Sequence, residues 1–184
     1  GLPKGMVPTL IGGTFRVLGR GHAEALVPMI AQLPERGKAD RIAVALGPGS
    51  FTGVRVGLAA ARALALAWRI SLHGFSAPSL IAAQAARDHG QGSLIVTITG
   101  GHGELFWQSF TADGRSATDE IRSTPITELA SRIDAPVIYG TGAEALVTAR
   151  GSGTADQAAS FVFSAAVSSI PPSSLLFSDV PLLS

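Results

Sequence analysis

The chain has 184 residues, 46% of them hydrophobic, a formal net charge of +1 and no cysteine. That length holds one substantial domain or two small lobes, and that apolar content supports a packed core rather than disorder. Near-neutral charge gives no global field to gather nucleic acid or an acidic membrane, and the lack of cysteine excludes disulfides and thiolate metal sites and fits a cytoplasmic setting.

Residues 1–13 are rich in Gly and Pro and read as loop. Thr14-Phe15-Arg16-Val17 alternates polar and apolar, the pattern of a short strand. A turn at Gly19 to Gly21 leads into a helix expected from His22 to about Leu33. Pro28 falls inside it, and an interior proline costs about 3 kcal/mol, so a kink or a late start is expected. Ala23, Leu26, Val27, Ile30 and Leu33 share one side, while Ala25 and Met29 add apolar surface elsewhere. Pro34 to Asp40 is a polar connection.

The centre of the chain is RIAVALGPGSFTGVRVGLAAARALALAW, Arg41 to Trp68. Ile42 to Leu46 is a short apolar run closed at once by Gly47-Pro48-Gly49, which predicts a buried strand and a turn. Ser50 and Thr52 supply hydroxyls suited to capping the Ala/Leu helix that follows. Strand, glycine turn, helix is the order used for ligand sites in α/β proteins. Gly47, Gly49, Ser50, Thr52 and Gly53 are therefore a candidate phosphate-facing turn. It matches neither common phosphate motif. Val54 and Arg55 stand where a Walker loop needs Lys and Ser or Thr, and Thr52 stands where the dinucleotide pattern has its third glycine. A purely structural turn remains open beside the phosphate cradle.

On the long helix, Val54, Leu58, Ala61, Ala65 and Trp68 form an apolar stripe, and Gly57, Ala60, Ala63, Leu64 and Ala67 continue it round the back. Its charges are Arg55 and Arg62, with Arg69 just after Trp68, seven apart on one edge. No uninterrupted apolar run reaches the ~20 residues of a membrane helix, since Arg55 and Arg62 interrupt the longest candidate. One side of this helix meets its own sheet, and the surplus predicts a second chain on the other; full coverage within the domain is the plainer alternative. The expected partner interface is His22, Glu24, Leu26, Met29 and Ile30 with Val54, Arg55, Leu58, Ala61, Arg62, Ala65 and Trp68. A large charged residue at Ala61 or Ala65 is expected to block assembly and leave the fold largely intact.

Further on, Ile70 to Phe75 reads as a strand and Pro78 to Arg87 as a helix, with Ser76 as its cap. Asp88 to Ser93 is a polar linker that divides the chain into expected lobes of residues 1–90 and 91–184. Leu94 to Ile98 and Glu104 to Phe110 predict an antiparallel hairpin, followed by a turn at Asp113-Gly114. Pro125 suits the first position of a helix. Val137 to Tyr139 predicts a strand, Gly140-Thr141-Gly142 a turn, and a helix then runs to about Arg150. After the Gly151 to Gly153 break, Ala155 to Val167 is read as a helix.

Several of these segments resemble the bacterial TsaB (YeaZ) family, which takes part in making threonylcarbamoyladenosine in tRNA. The likeness rests on GPGSFTGVRVGLAAARALALAW and ISLHGFSAPSLIAA. It extends to RGHAEALVPMI (Arg20 to Ile30), GELFWQSF (Gly103 to Phe110) and VIYGTGAEAL (Val137 to Leu146). It spans roughly residues 13 to 150. It implies an actin-like (ASKHA, RNase H-like) α/β fold with mixed sheets, flanking helices and two small lobes. Two departures stand out. The family's opening strand, with an acidic residue and a Thr-Ser pair, is missing or divergent in GLPKGMVPTLIGG. Its Asp-Ala-Arg hairpin segment is replaced by Thr99-Gly100-Gly101-His102-Gly103.

The resemblance implies a non-catalytic subunit that binds and stabilises catalytic TsaD through a four-helix bundle, with the ATPase TsaE joining the complex. It also implies self-association as a homodimer and indirect contact with tRNA, with ATP held by the partner subunits and at most weak nucleotide binding here. The residues offer no catalytic or metal set of their own. Leu26 stands four residues after His22, so the His-x-x-x-His pair of the related catalytic subunit is absent. Ser50 lacks the spacing of a nucleophile elbow. Two other classes remain: an actin-like nucleotide-binding ATPase or phosphotransferase, and a metallopeptidase-like protein.

Overall fold

The computed structural model describes residues 21–89, 92–156 and 178–179. Thr14 to Val17, and nearly all of the helix expected after residue 154, lie outside them.

The first half is built on a parallel strand pair joined by a helix. Strand β1 (Arg41–Ala45) pairs in parallel with β2 (Ser71–Phe75), and the long helix α2 (Phe51–Trp68) connects them. A short strand β8 (Ser178–Asp179) adds antiparallel to β2, giving the order β1-β2-β8. Helix α1 (His22–Ala31) packs on α2, and a tight turn at Pro34–Gly37 brings the chain to β1. Pro28 sits within α1 on its exposed side, and the helix ends two residues earlier than the periodicity suggests. β1 is not the fully buried strand expected. Among the described strands it stands at a sheet edge, and Ile42, Val44 and Ala45 are only half-buried while Arg41 and Ala43 are exposed. The core of this half is small: Ala61 and Ala65 of α2 close on Leu72, with Ile42, Val44 and Ile70 around them.

The second half is a five-stranded sheet in the order β5-β4-β3-β6-β7. Strands β3 (Leu94–Thr99) and β4 (Glu104–Phe110) form the expected antiparallel hairpin, with Leu94 opposite Phe110 and Thr99 opposite Leu105. β5 (Arg122–Pro125) joins β4 antiparallel; β6 (Val137–Tyr139) joins β3, and β7 (Thr154–Asp156) joins β6, both in parallel. Side-chain alternation splits the apolar residues between two faces. Leu94, Val96, Ile98, Phe110 and Tyr139 meet Ile81, Ala82 and Ala85 of helix α3 (Ala77–His89). Leu105, Trp107 and Ile138 meet Leu129, Ile133, Ala143 and Leu146, carried by and just after helix α4 (Ile126–Arg132) and by helix α5 (Ala143–Arg150).

Three expectations change. Pro125 ends β5 and precedes α4 rather than filling its first helical position, because its extended backbone pairs in register with Glu104. β5 itself was not expected, as RSTP carries no alternating apolar pattern. Thr154–Asp156 pairs as a strand where helix was read from Ala155, since the edge of β6 offers unmet backbone groups there.

α2 also corrects the membrane argument. By length and composition it is apolar enough to cross a membrane, with a mean hydropathy of 1.2 over 18 residues. Here it lies across β1 and β2 and carries Arg55 and Arg62 within that length.

Candidate functional site

The turn after β1 is tied down from both sides. Leu46 N–H donates to Phe75 O at 2.8 Å, and Ala77 N–H donates to Gly47 O at 2.8 Å. Gly47 is buried at φ 93, a backbone region that a side chain resists, so the turn locks the end of β1 to the start of α3. Ser50 caps α2 as its sequence suggested: its Oγ accepts from Gly53 N–H at 3.3 Å. The Gly53 amide of the candidate phosphate turn is thus already satisfied. Gly49, Ser50, Thr52 and Gly53 all face solvent. Ser76 performs the same service for α3, accepting from Ser79 N–H at 3.2 Å.

Below this turn lies a cleft of about 450 Å³. Leu46, Gly47 and Pro48 form one wall, Phe75, Ser76 and Ser79 a second, and Phe106, Gln108, Phe110, Ala117 and Ile121 close it from the hairpin side. It sits at the carboxyl ends of β1 and β2, the usual position for a ligand in an α/β sheet. Among the described residues its walls are mostly apolar and include no Lys or Arg. Gln108 Nε2 donates to Asp119 O at 2.9 Å, while its Oε1 is buried with no partner. Among the described residues no group of three or more His, Cys, Asp or Glu is placed to hold a metal.

The expected interface residues divide. Ala61 and Ala65 are buried against the chain's own sheet, at 7% and 0% exposure. They are not on offer to a partner, and a charge at either would break the core of this half rather than spare the fold. Val54, Leu58, Arg62 and Trp68 are half-buried, as are Leu26, Met29 and Ile30 of α1; Glu24 and Arg55 are exposed. His22 opens α1, and its side chain lies outside the described residues. The freely exposed apolar side chains are others: Val27, Phe51 and Leu66, at 51%, 70% and 63%. Reading one stripe as the outward face missed them. Residue size gave no signal for the inner face, since Ala61 and Ala65 are buried while Ala59, Ala63 and Ala67 are exposed; packing on β1 and β2 decides it.

A family model described as "TsaD: tRNA N6-adenosine threonylcarbamoyltransferase" matches residues 5–168. The chain belongs to the TsaD family. Within it, the chain resembles TsaB (YeaZ). It is 31% identical to the tRNA threonylcarbamoyladenosine biosynthesis protein TsaB of Escherichia coli over 108 residues, 56% of this chain and 47% of that protein. It is 32% identical to an uncharacterized protein of Mycobacterium tuberculosis over 106 residues, 55% of this chain and 48% of that one. The chain thus spans about half the length of the curated relatives it matches. Among solved structures, YeaZ from Pseudomonas aeruginosa superposes with a TM-score of 0.59 at 26% identity, covering 74% of this chain and 69% of that one. An uncharacterized Pseudomonas aeruginosa protein with similarity to peptidase YeaZ gives 0.63 at 25% identity, covering 79% and 72%. The actin-like α/β fold class implied by the sequence therefore holds for this TsaD-family chain.

Proposed function

We propose that the chain is a non-catalytic subunit in tRNA N6-threonylcarbamoyladenosine biosynthesis, one that binds a catalytic TsaD-type protein and stabilises its working shape. The biosynthetic role is supported by the relatives named TsaB. The subunit role is supported by one structural observation: of the 18 residues of α2 only Ala61 and Ala65 are buried, although the helix is apolar over most of its surface. Such a helix is covered by something in the working assembly. The outward side of α1, with Val27, adjoins the same region and extends the surface.

The nucleotide-binding alternative has the cleft at the ends of β1 and β2 in its favour. Against it, a triphosphate seeks cationic side chains and free amides, and among the described residues the cleft wall offers no Lys or Arg. A TsaD-type subunit is expected to co-elute with the chain in size-exclusion chromatography. The modified nucleoside is expected to form, from tRNA, threonine, bicarbonate and ATP with the other subunits supplied, only when the chain is present. Full modification without it would refute the reading.

A further inference from the structure

Alternation along β4 puts Phe106, Gln108 and Phe110 on one face of the hairpin, and all three line the cleft. A carboxamide set between two phenyl rings needs partners at both of its ends. Among the described residues Gln108 has one at a single end. Its Nε2 donates to Asp119 O at 2.9 Å, which fixes the direction of the carboxamide and so identifies the oxygen. That oxygen, Oε1, is buried and accepts from nothing, and the residue as a whole is 8% exposed.

The rest of the wall is neutral and already engaged. Ser79 Oγ donates to Ser76 O at 2.7 Å, and Ser79 N–H donates to Ser76 Oγ at 3.2 Å, so the two serines serve the start of α3. Among the described residues no side chain of the wall is ionisable. Phe75 and Phe110 are buried while Leu46 and Ile121 are exposed, so the cleft deepens from an aliphatic rim to an aromatic floor.

We propose that the cleft binds a small, uncharged aromatic molecule of one or two fused rings, held by an N–H that donates to Gln108 Oε1. Three features set three properties of the ligand. The phenyl rings favour a flat aromatic body, packed offset or edge-on against them. The unmet oxygen calls for a donor, since a ligand without one leaves a desolvated acceptor behind. The absence of ionisable groups in the described wall disfavours a carboxylate, phosphate or ammonium, which would lose water and gain no counter-charge. The volume of about 450 Å³ admits a molecule of this size. A water on Oε1 is the competing occupant, and it gives no reason for a ligand's N–H to matter.

The inference does not depend on a partner at α2, so it is tested on the full chain alone, with indole as the probe. By titration calorimetry and ligand-observed NMR, indole is expected to bind saturably. Benzofuran, the same two rings with oxygen in place of N–H, is expected to bind at least about tenfold more weakly. ATP is expected not to displace indole. Gln108→Leu keeps the wall apolar and removes the acceptor, and should bring the two probes to within about twofold of each other. If that variant does not fold, Ala117→Phe fills the cleft, leaves Gln108 in place and is expected to weaken indole at least about tenfold. No saturable indole binding overturns the inference, as does equal affinity for indole and benzofuran in the unmodified chain. Undiminished indole binding in Ala117→Phe places the ring elsewhere on the protein and overturns it too. ATP that displaces indole and binds more tightly assigns the cleft to nucleotides instead.

Discussion

The two halves of the molecule close their cores in different ways. The five-stranded sheet is covered on both faces, by α3 on one side and by α4 and α5 on the other, and each face has its own buried cluster. Among the described residues, the three-stranded sheet has α2 across it and a core cluster of three buried residues, two of them alanines. At roughly 25 cal/mol per Å² of apolar surface removed from water, small side chains contribute little. Among the described residues the second half covers both faces of its sheet, and the first has apolar helix surface left over. The sparse use of the longest helix in the described core is what supports attaching the proposed partner contact to α2 and not to the better-packed α3.

The largest effect that tests this contrast is at Ala65, which is 0% exposed against Leu72. Ala65→Asp places an unpaired charge there and is expected to cost about 3–5 kcal/mol. Chemical denaturation reads it, and a loss under about 0.5 kcal/mol would show that α2 does not sit on its sheet as described. The next effect compares two leucines. Leu146, 0% exposed between α5 and the second sheet, is expected to lose about 2–5 kcal/mol on replacement by Ala. Leu66, 63% exposed on α2, is expected to change by no more than about 0.5 kcal/mol under the same replacement. Equal losses would erase the distinction between a closed core and an open face.

Much of this was legible in the sequence. The Gly47 turn, the Ser50 and Ser76 caps, the hairpin and the Val137–Tyr139 strand follow from local patterns, since turns, caps and alternation are set by neighbouring residues. β5 and β7 were not legible. Each is short, polar and a strand only because an already formed edge takes it up, which is a tertiary cause. The division of α2 between inner and outer face failed for a related reason. When nearly every position is Ala, Leu, Val or Gly, periodicity does not say which side is inside; the parallel strands on either end decide it, and residue size does not, since Ala59 is exposed and Ala61 buried. The cleft, too, was visible only as its Gly47 wall, because Phe106 and Gln108 reach it from the far hairpin.

The smallest expected effect belongs to the second half, at the turn after β4. The Thr111 hydroxyl donates to the Asp113 carboxylate, and the Arg115 backbone N–H donates to it at 3.1 Å. These bonds, the Thr111 one foremost, favour the ionised form and hold its pKa below the usual carboxylate value. As pH falls, the unfolded chain takes up this proton before the folded one does. The turn's contribution is therefore whole above the unfolded carboxylate's range and is lost as pH drops through the lowered folded value. Asp113 is fully exposed, so solvent screens the effect and only a slight slope is expected. Asp113→Asn should flatten that slope between about pH 5 and pH 2, read as the pH dependence of the thermal midpoint of the variant against the parent. The same slope in both would mean that the turn is held by its backbone bonds, Gly114 N–H to Thr111 O at 2.8 Å and Thr111 N–H to Ser116 O at 2.9 Å, and owes nothing to the charge.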